Sequence, residues 1–353
     1  MGINQFRRNP VTGQWSVIIQ NEYDINDLFS NEQTRKSKKT GDSEHCQFCG
    51  GFETETPSEI FSIRPNNTRK DDSGWSVRVI PDKKPFLQIY GDLNNRGIGM
   101  YDVLDGIGAH ELVIETTEHN LQLYHFPLKQ IEHVLAAYRE RILDLKKDAR
   151  FRYVLLHKNY GEGHKEVLFH SHTHIIATPI TPTRVKTELM NSMEHYQYKE
   201  RCLFCDIINQ ELSVNERVIQ ENEKFLALAP FASRSPFEVW IFPKAHETFF
   251  ESNREHTQLA TILKDILQKI TTTLNHPNFV MVLHSGPNIA NGRLRGYWKT
   301  LEKDYHWHIE ITPRLRGFTS FDVGSGFHVN IVSPESATRI LREGKTISAK
   351  QEN

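Results

Sequence analysis

The chain has 353 residues, of which 38% are hydrophobic and 25% charged, an ordinary composition for a globular protein. Its formal net charge of -1 gives no overall field that would favour nucleic acid or an anionic membrane. No apolar run approaches the roughly 20 residues of a membrane-spanning helix, and the first residues lack the apolar core of a secretion signal. The sequence therefore predicts a cytoplasmic protein of two domains, without nucleic-acid or membrane partners.

The first half of the chain predicts a cysteine pair, several strands and one amphipathic helix. The cysteine pair is the C-x-x-C segment at 46–49. Runs rich in β-branched residues at 75–80 and 111–115 predict strands, and a helix with one apolar stripe opens at Pro127. A further predicted strand at 151–156 is followed by closely spaced histidines.

The second half repeats this order of elements. A second C-x-x-C segment at 202–205 precedes strands at 225–228 and 279–284, between which lies a second amphipathic helix. Such an ordered duplication predicts two copies of one α+β unit, packed against each other. We place the boundary in a polar stretch between the copies, which gives domains of 1–195 and 196–353.

Each half also supplies cysteines and histidines in an order that suits a tetrahedral zinc site, which needs four nitrogen or sulfur ligands. The predicted ligands of the first site are Cys46, Cys49, His119 and His170. The predicted ligands of the second site are Cys202, Cys205, His246 and His306. Both zinc ions would be mainly structural, because four protein ligands leave no position for a substrate. The alternative, thioredoxin-like redox pairs, lacks the βαβ context in which such cysteines open a helix.

Three histidines alternate with small hydroxyl residues at His170, Ser171, His172, Thr173 and His174. On a strand, the three imidazoles project from one face, where a metal or a phosphate gives a reason to align them. If a backbone carbonyl accepts the Nδ1 proton of His172, its Nε2 can attack phosphorus as a neutral nucleophile. His174 could then donate a proton or a hydrogen bond to the phosphoryl oxygens or the leaving group. The alternatives are that all three histidines bind metal, or that His174 is a core histidine with satisfied hydrogen bonds.

Several segments carry a resemblance to a known family. They are 8–15, 46–49, 115–119, 158–161, the H-x-H at His170 and His172, 236–246 and 321–326. Together they resemble the galactose-1-phosphate uridylyltransferase family of the histidine-triad (HIT-like) superfamily, including its ADP-glucose phosphorylase-like members. The resemblance covers nearly the whole chain and implies an α+β fold of duplicated HIT-like domains. Each domain would be a mostly antiparallel sheet with helices packed on it.

The resemblance also implies an activity and a set of site residues. The chain would be a nucleotidyltransferase of the UDP-glucose:hexose-1-phosphate uridylyltransferase type, moving a nucleoside monophosphate from a nucleotide-sugar to a sugar 1-phosphate. The nucleotide would be carried covalently by His172, with His174 as the second catalytic residue. The substrate-binding residues would be Asp82, Asn159, Lys165, Ser171, Asp322, Gly324, Ser325 and Gly326. A homodimer is the usual assembly of similar proteins, although the sequence does not fix the oligomeric state.

The chain departs from the family pattern at positions that bear on the substrate. His174 stands where transferases of this family usually have glutamine, Val167 where they have a phosphate-contacting serine, and Asp82 where an asparagine is common. Lys165 could replace lost hydrogen bonds with charge, or could be solvated. A phosphorylase or hydrolase that uses the same intermediate therefore stays an alternative, as does an inactive zinc-stabilised nucleotide-binding protein.

The repeat makes His308 the counterpart of His172 and Glu310 the counterpart of His174. A second active site is nevertheless not expected, because Glu310 would repel phosphate and the second half lacks a matching phosphate loop. The sequence predicts one active site per chain, in the first half.

Overall fold

The computed structural model describes residues 2–20, 45–161, 170–290, 298–317 and 319–344. The strands are β1 Gln5–Arg8, β2 Trp15–Ile18, β3 Phe61–Ile63, β4 Val77–Pro81, β5 Arg96–Ile98, β6 Tyr101–Val103, β7 Ala109–Ile114, β8 Tyr153–Tyr160, β9 His172–Thr178, β10 Val218–Glu221, β11 Phe225–Leu228, β12 Val239–Pro243, β13 Phe279–His284, β14 His308–Pro313 and β15 His328–Asn330. The helices are α1 Leu128–Leu145, α2 Thr183–Lys199, α3 Leu203–Val214, α4 His256–Thr273, α5 Leu301–Asp304, α6 Ser320–Ser325 and α7 Pro334–Glu343. In these described ranges, no helix combines the length and the apolar character that crossing a bilayer requires.

The centre of the molecule is one ten-stranded sheet with the order β10-β11-β12-β14-β13-β8-β9-β7-β4-β3. Its strand pairs are antiparallel, which confirms the predicted α+β fold with mostly antiparallel pairing. Strands from the first half of the chain form one side and strands from the second half form the other. The two halves meet where β8 pairs with β13, and Val282 lies opposite His157. The duplicated units therefore share one continuous sheet.

Helices α1 and α4 lie together on one face of this sheet. Both carry the apolar stripe that the sequence predicts, because residues three and four apart fall on one side of a helix. Ile131, Val134 and Ile142 of α1 are buried, as are Leu259 and Ile266 of α4, all in one hydrophobic core. Pro127 immediately precedes α1 and has the backbone φ of -56° that suits entry into a helix.

The opposite face of the sheet is covered by helices α2 and α3 in the second half only. Leu189 of α2 and Phe204 of α3 are fully buried in a core that also contains Trp240 and Phe242 of β12. In the first half, the same face carries a smaller cluster around Phe48 beside the first cysteine pair. Helix α2 also runs through the predicted boundary between residues 195 and 196, so this division stays a prediction.

Two smaller sheets complete the fold. Strands β1 and β2 form an antiparallel hairpin, and β15 joins β2 in parallel, so the start of the chain pairs with a segment near its end. Ser16 of β2 also donates a hydrogen bond to the carbonyl of Ala232, 3.1 Å away. Strands β5 and β6 form a separate, exposed hairpin.

Candidate active site

The histidine strand β9 lies between β7 and β8 in the first half of the sheet. His172 pairs with Ile114 and His174 pairs with Leu112 on β7, while His157 of β8 lies opposite His174. Because side chains alternate along a strand, His172 and His174 project from the face that α2 and α3 cover in the other half. Both histidines are partly exposed here, so this half of the sheet presents them to solvent.

The buried carboxylate of Glu115 lies on the opposite face of β9 from the two histidines and binds the strand there. It accepts hydrogen bonds from the hydroxyls of Ser171 and Thr173, each 2.6 Å away, and from the Lys158 ammonium at 2.6 Å. Lys158 also donates to the carbonyl of His172 at 2.9 Å. Burial alone would raise the pKa of the Glu115 carboxyl, but Lys158 and the hydroxyl donors outweigh it and lower that pKa. The strand that carries the histidines is thus anchored by a buried ion pair.

This arrangement corrects the predicted role of Ser171. Its side chain is 2% exposed, and its hydroxyl donates to Glu115 on the face of the strand away from His172. Ser171 therefore supports the strand from the face opposite to His172.

The tautomer of His172 follows from one hydrogen bond. Its Nδ1 lies 2.8 Å from the carbonyl oxygen of His170, which can only accept, so Nδ1 carries the proton. The lone pair is then on Nε2, the nitrogen that the sequence analysis predicts as the attacking atom. The ring of Phe48 packs against this imidazole with its centroid 5.9 Å away, which limits the ring's movement.

His174 belongs to a cluster of histidines beside His172. Its ring lies 5.1 Å from that of His172 and stacks on His157 at 4.9 Å with an interplanar angle of 6°. Burial, together with the neighbouring imidazoles, lowers the pKa of His174 to about 2 and that of His157 to about 4. Both rings are therefore neutral near pH 7. On the other side of His174, its Nδ1 lies 3.1 Å from Nε2 of His110.

Two other predicted substrate-binding residues, Asn159 and Asp82, lie near the histidines. The antiparallel register of β8 and β9, continued by two residues beyond the pair of His157 and His174, places Asn159 opposite His172 on the same face. Asp82 lies close to the cluster, with Oδ2 3.3 Å from Nε2 of His110. Lys165 and Val167 lie outside the described residues.

The segment at 321–326 forms helix α6 and its end. Asp322 caps this helix: its carboxylate accepts from the backbone N–H of Thr319 at 2.7 Å and from Arg316 at 2.8 Å. The Ser325 hydroxyl donates to the carbonyl of Phe321 at 2.6 Å, and Gly326 ends the helix with φ 71°. Gly324 and Ser325 are exposed. The contacts of Asp322 serve its own loop, so a role for Asp322, Gly324, Ser325 and Gly326 toward substrate stays a prediction.

The four predicted ligands of the first metal site converge. Cys49 Sγ lies 3.6 Å from Nδ1 of both His119 and His170, and Cys46 Sγ lies 3.7 Å from Nδ1 of His170. Donor atoms of a tetrahedral zinc site, with bonds of about 2.0 to 2.3 Å, lie roughly 3.3 to 3.9 Å apart. Nε2 of His170 donates to the carbonyl of Thr116 at 2.6 Å, which leaves Nδ1 to bind a metal.

The second predicted set also comes together. Cys205 Sγ lies 3.4 Å from Nδ1 of His246 and 3.8 Å from Nδ1 of His306. Nε2 of each histidine donates to a backbone carbonyl, that of Glu302 at 3.0 Å and that of Pro243 at 2.9 Å. Cys202 completes the cluster, and the four ligand atoms lie within 4.8 Å of one another. Both sets therefore have the donor atoms and the spacing that a tetrahedral metal ion requires, and His170, His246 and His306 also make the outer hydrogen bond that leaves Nδ1 for the metal.

The counterpart of the active-site face in the second half is buried. His308 repeats the hydrogen bond of His172, since its Nδ1 donates to the carbonyl of His306 at 3.1 Å. Its ring is 0% exposed and stacks on His284 at 4.6 Å, beneath α2. Glu310 accepts from Arg184 at 2.5 Å and from Arg234 at 3.0 Å, both on the covered face. His308 is therefore closed to solvent in this structure, and the expectation of a single active site stays a prediction.

The sequence analysis did not single out Glu115, Lys158, His110 or His157 as site residues. Lys158 is 2% exposed and Glu115 is 0% exposed, and a charged residue inside an otherwise apolar strand pattern was the available signal for both. His110 and His157 lie on the neighbouring strands β7 and β8, and only the pairing with β9 brings them to His174.

Comparison with known proteins matches these features. Residues 156–329 match the family model described as galactose-1-phosphate uridyl transferase, C-terminal domain. An ADP-glucose phosphorylase of Arabidopsis thaliana is 29% identical over 96% of this chain and 92% of its own length. A galactose-1-phosphate uridylyltransferase of Thermotoga maritima is 27% identical over 96% of this chain and 98% of its own length.

The fold is shared with solved structures as well. The crystal structure of an ADP-glucose phosphorylase from Arabidopsis thaliana with bound ADP-glucose superposes with a TM-score of 0.78 at 27% identity, covering 97% of this chain and 99% of that one. The segment match, the full-length relatives and the common fold agree with the residues that resemble this family. Residues 156–329 therefore match the C-terminal domain of galactose-1-phosphate uridyl transferases, and nearly the whole chain is similar to a galactose-1-phosphate uridylyltransferase and to an ADP-glucose phosphorylase.

Proposed function

We propose that the protein is a nucleotidyltransferase that moves a nucleoside monophosphate between a nucleotide-sugar and a sugar 1-phosphate, with His172 as the covalent carrier. The observation that carries the proposal is the hydrogen bond from Nδ1 of His172 to the His170 carbonyl, which puts the lone pair on Nε2. The relatives named galactose-1-phosphate uridylyltransferase and ADP-glucose phosphorylase support this class of reaction.

The reaction consists of two displacements at the α-phosphorus. In the first, the Nε2 lone pair of His172 forms a P–N bond while the P–O bond to the sugar phosphate breaks, and that oxygen leaves with the electron pair. In the second, a phosphate oxygen of the acceptor attacks phosphorus and the P–N bond breaks, which returns the lone pair to Nε2. The buried Glu115–Lys158 pair keeps the strand in place through both steps, because Lys158 holds the carbonyl of His172.

His174 would act as a hydrogen-bond donor to phosphoryl oxygens, and Asn159 would contact the phosphates from β8. A phosphate leaving group with a second pKa of about 6 departs without being protonated, so a donor that keeps its proton is sufficient. The low pKa of His174 suits this role, since a neutral ring donates but does not carry charge. Asp82, Lys165, Asp322, Gly324, Ser325 and Gly326 stay in the proposal as candidates for substrate contacts, whereas Ser171 does not.

A phosphorylase or hydrolase is the second candidate, and His174 favours it. Inorganic phosphate in place of the sugar phosphate would accept the nucleotide and yield a nucleoside diphosphate, and water would release a monophosphate. The similarity to an ADP-glucose phosphorylase along nearly the whole chain supports this option.

Two zinc ions per chain would complete the structure, one in each Cys₂His₂ cluster. The first would be held by Cys46, Cys49, His119 and His170, and the second by Cys202, Cys205, His246 and His306. Zinc would make both sites rigid. At the first site it would also fix the position of His172, because the His170 carbonyl accepts the hydrogen bond from Nδ1 of His172. A homodimer is part of the proposal, since the exposed apolar residues Tyr90, Met100 and Tyr101 in and before the β5–β6 hairpin would be covered by a second chain.

The test is to incubate the protein with UDP-glucose, ADP-glucose and dinucleoside polyphosphates, each alone and with galactose-1-phosphate or inorganic phosphate. Mass spectrometry of the peptide that contains His172 then identifies the nucleotide from the mass of the adduct. We expect an adduct from one nucleotide-sugar, and turnover only when galactose-1-phosphate is added.

Each other result has a defined meaning. Turnover with inorganic phosphate and not with galactose-1-phosphate would replace the transferase with a phosphorylase, and release of a monophosphate without any acceptor would indicate a hydrolase. Tight nucleotide binding without an adduct would contradict enzymatic function and indicate a zinc-stabilised binding protein.

A further inference from the structure

We propose that the Asp82 carboxylate and the imidazole of His110 together hold His174 in the tautomer with its proton on Nε2. This assignment makes His110 and Asp82 positioning residues for the donor that faces the phosphates. The effect of this tautomer on catalysis rests on the proposed function. The tautomer itself does not depend on which substrate is bound.

Side-chain atoms of three residues lie close together beside His174. Nε2 of His110 lies 3.1 Å from Nδ1 of His174 and 3.3 Å from Oδ2 of Asp82. The His110 side chain is 7% exposed and that of Asp82 is 17% exposed, so water screens these contacts little. The other carboxylate oxygen of Asp82 accepts from the backbone N–H of Lys84 at 2.7 Å, which orients the carboxylate. The ring of Phe86 packs on His110 with centroids 4.7 Å apart.

The position of the shared proton follows from electrostatics. The imidazoles of His110 and His174 face each other nitrogen to nitrogen, so one proton lies between them and belongs either to His110 Nε2 or to His174 Nδ1. If it were on His174, the lone pair of His110 Nε2 would face the Asp82 carboxylate at 3.3 Å, which is repulsive. With the proton on His110 Nε2, that group donates to His174 and is attracted by Asp82. The Asp82 carboxylate therefore favours the arrangement with the proton on Nε2 of His110.

The consequence reaches the reaction through His174. Because its Nδ1 accepts from His110, its own proton is on Nε2, which points away from His110. The ring of His174 lies 5.1 Å from that of His172 on the same face of β9, so its donor group stands beside the nucleophile. No proton moves in this scheme: His174 donates a hydrogen bond and keeps its proton. Asp82, predicted from the sequence as a direct substrate contact, here acts through His110.

The proposal also relates two positions at which the chain departs from the family pattern. Asp82 and His174 both differ from the residues common in similar proteins, and both contact the same atom of His110. A glutamine at position 174 has an amide N–H₂ donor of its own and needs no tautomer control. His110 is thus needed only when position 174 is histidine.

Substitutions at His110 and His174 give a direct test. The substitution His110→Phe keeps a ring beside Phe86 but removes the N–H group that donates to His174. The Asp82 carboxylate then attracts the proton of His174 to Nδ1, since the ligand atoms of Asp82 and His174 lie within 4.8 Å of each other. We expect the rate of nucleotidylation of His172 to fall by about 100- to 1000-fold, the effect of losing one oriented donor. The unfolding temperature should not change. In a His174→Gln background, the same His110→Phe change should alter the rate by less than about 2-fold, because the amide donor is independent of His110.

Nitrogen-15 NMR of the wild-type protein measures the tautomer without any substrate, so it separates this proposal from the proposed function. The expected spectrum shows His174 protonated at Nε2 only, and it should change to protonation at Nδ1 in His110→Phe. A wild-type His174 protonated at Nδ1 would overturn the proposal, as would equal rate losses for His110→Phe in both backgrounds. A third equivalent of metal per chain that disappears in His110→Phe would also overturn it, since the three atoms would then be metal ligands.

Discussion

At the scale of single residues, the chemistry of this site depends on where individual protons lie. His172 is assigned a donor Nδ1 by the carbonyl of His170, and His174 is kept neutral by burial and by its histidine neighbours. Each state follows from the surroundings of the ring rather than from the residue type. The same residue type in the second half, His308, has the same Nδ1 hydrogen bond but no access to solvent.

The nucleophile assignment makes a prediction at this scale. His172→Gly should lower the rate of nucleotide transfer by at least about 1000-fold, because the covalent intermediate can no longer form on the protein. Added imidazole should restore part of the rate by occupying the space that the side chain leaves. Steady-state kinetics with and without imidazole measure both effects. An unchanged rate in the variant would refute the assignment, and imidazole should not accelerate the wild-type protein.

At the scale of elements, helix α2 decides which half of the sheet is open. It places Glu188 against His284 of β13, 3.3 Å apart, while Glu310 of β14 lies 3.6 Å from the same imidazole. Burial would lower the pKa of His284, but the two carboxylates outweigh it and raise that pKa to about 9. The covered face of the second half therefore contains a buried charged histidine where the open face of the first half has neutral ones.

The charge on His284 predicts how stability depends on pH. Since its folded-state pKa is raised from 6.5 to about 9, the folded protein binds more protons than the unfolded chain between these values. This contribution is fully present below pH 6.5 and is lost as pH rises to about 9, by on the order of 3 kcal/mol. Urea unfolding from pH 6 to pH 10 measures it. His284→Gln should be less stable at pH 6 and should lose less stability than the wild-type protein as pH rises; parallel pH curves would contradict the buried ion pair.

At the scale of the whole molecule, two equivalent Cys₂His₂ clusters have different relations to the candidate active site. The first contains His170, whose carbonyl sets the tautomer of His172. The second lies in the half where the corresponding histidine, His308, is fully buried. We therefore propose that the first cluster is coupled to the site and that the second serves stability alone.

A matched pair of substitutions tests this difference. Cys202→Ser should lower the metal content from two ions per chain to one and the free energy of unfolding by several kcal/mol, because binding free energy of a structural metal is folding free energy. Its rate of His172 nucleotidylation per folded molecule should stay at the wild-type value. Cys46→Ser should lose both stability and rate. Metal analysis, urea unfolding and single-turnover kinetics measure the three quantities, and a rate loss in Cys202→Ser at unchanged stability would show that the second cluster is misinterpreted.

Much of this molecule could be predicted from the sequence, because the relevant signals are local or repeated. The spacing of Cys46 and Cys49, the alternation of histidines around His172 and the apolar stripes of α1 and α4 are each contained within a short segment. The repeat then predicts the second metal cluster from the first. These predictions hold because the periodicities of helices and strands place nearby residues on a common face in any fold.

Only the tertiary structure decided the remaining features, since they depend on pairing between distant segments. The register of β7, β8 and β9 brings His110 and His157 to His174, and the packing of α2 buries His308 and leaves His172 accessible. The alternation along β9 also turned Ser171 to Glu115, where the sequence analysis placed it with the substrate. Residue types and their local spacing determined which chemistry the chain can perform. Long-range contacts determined where it is performed, because protonation state and exposure are properties of the packed environment.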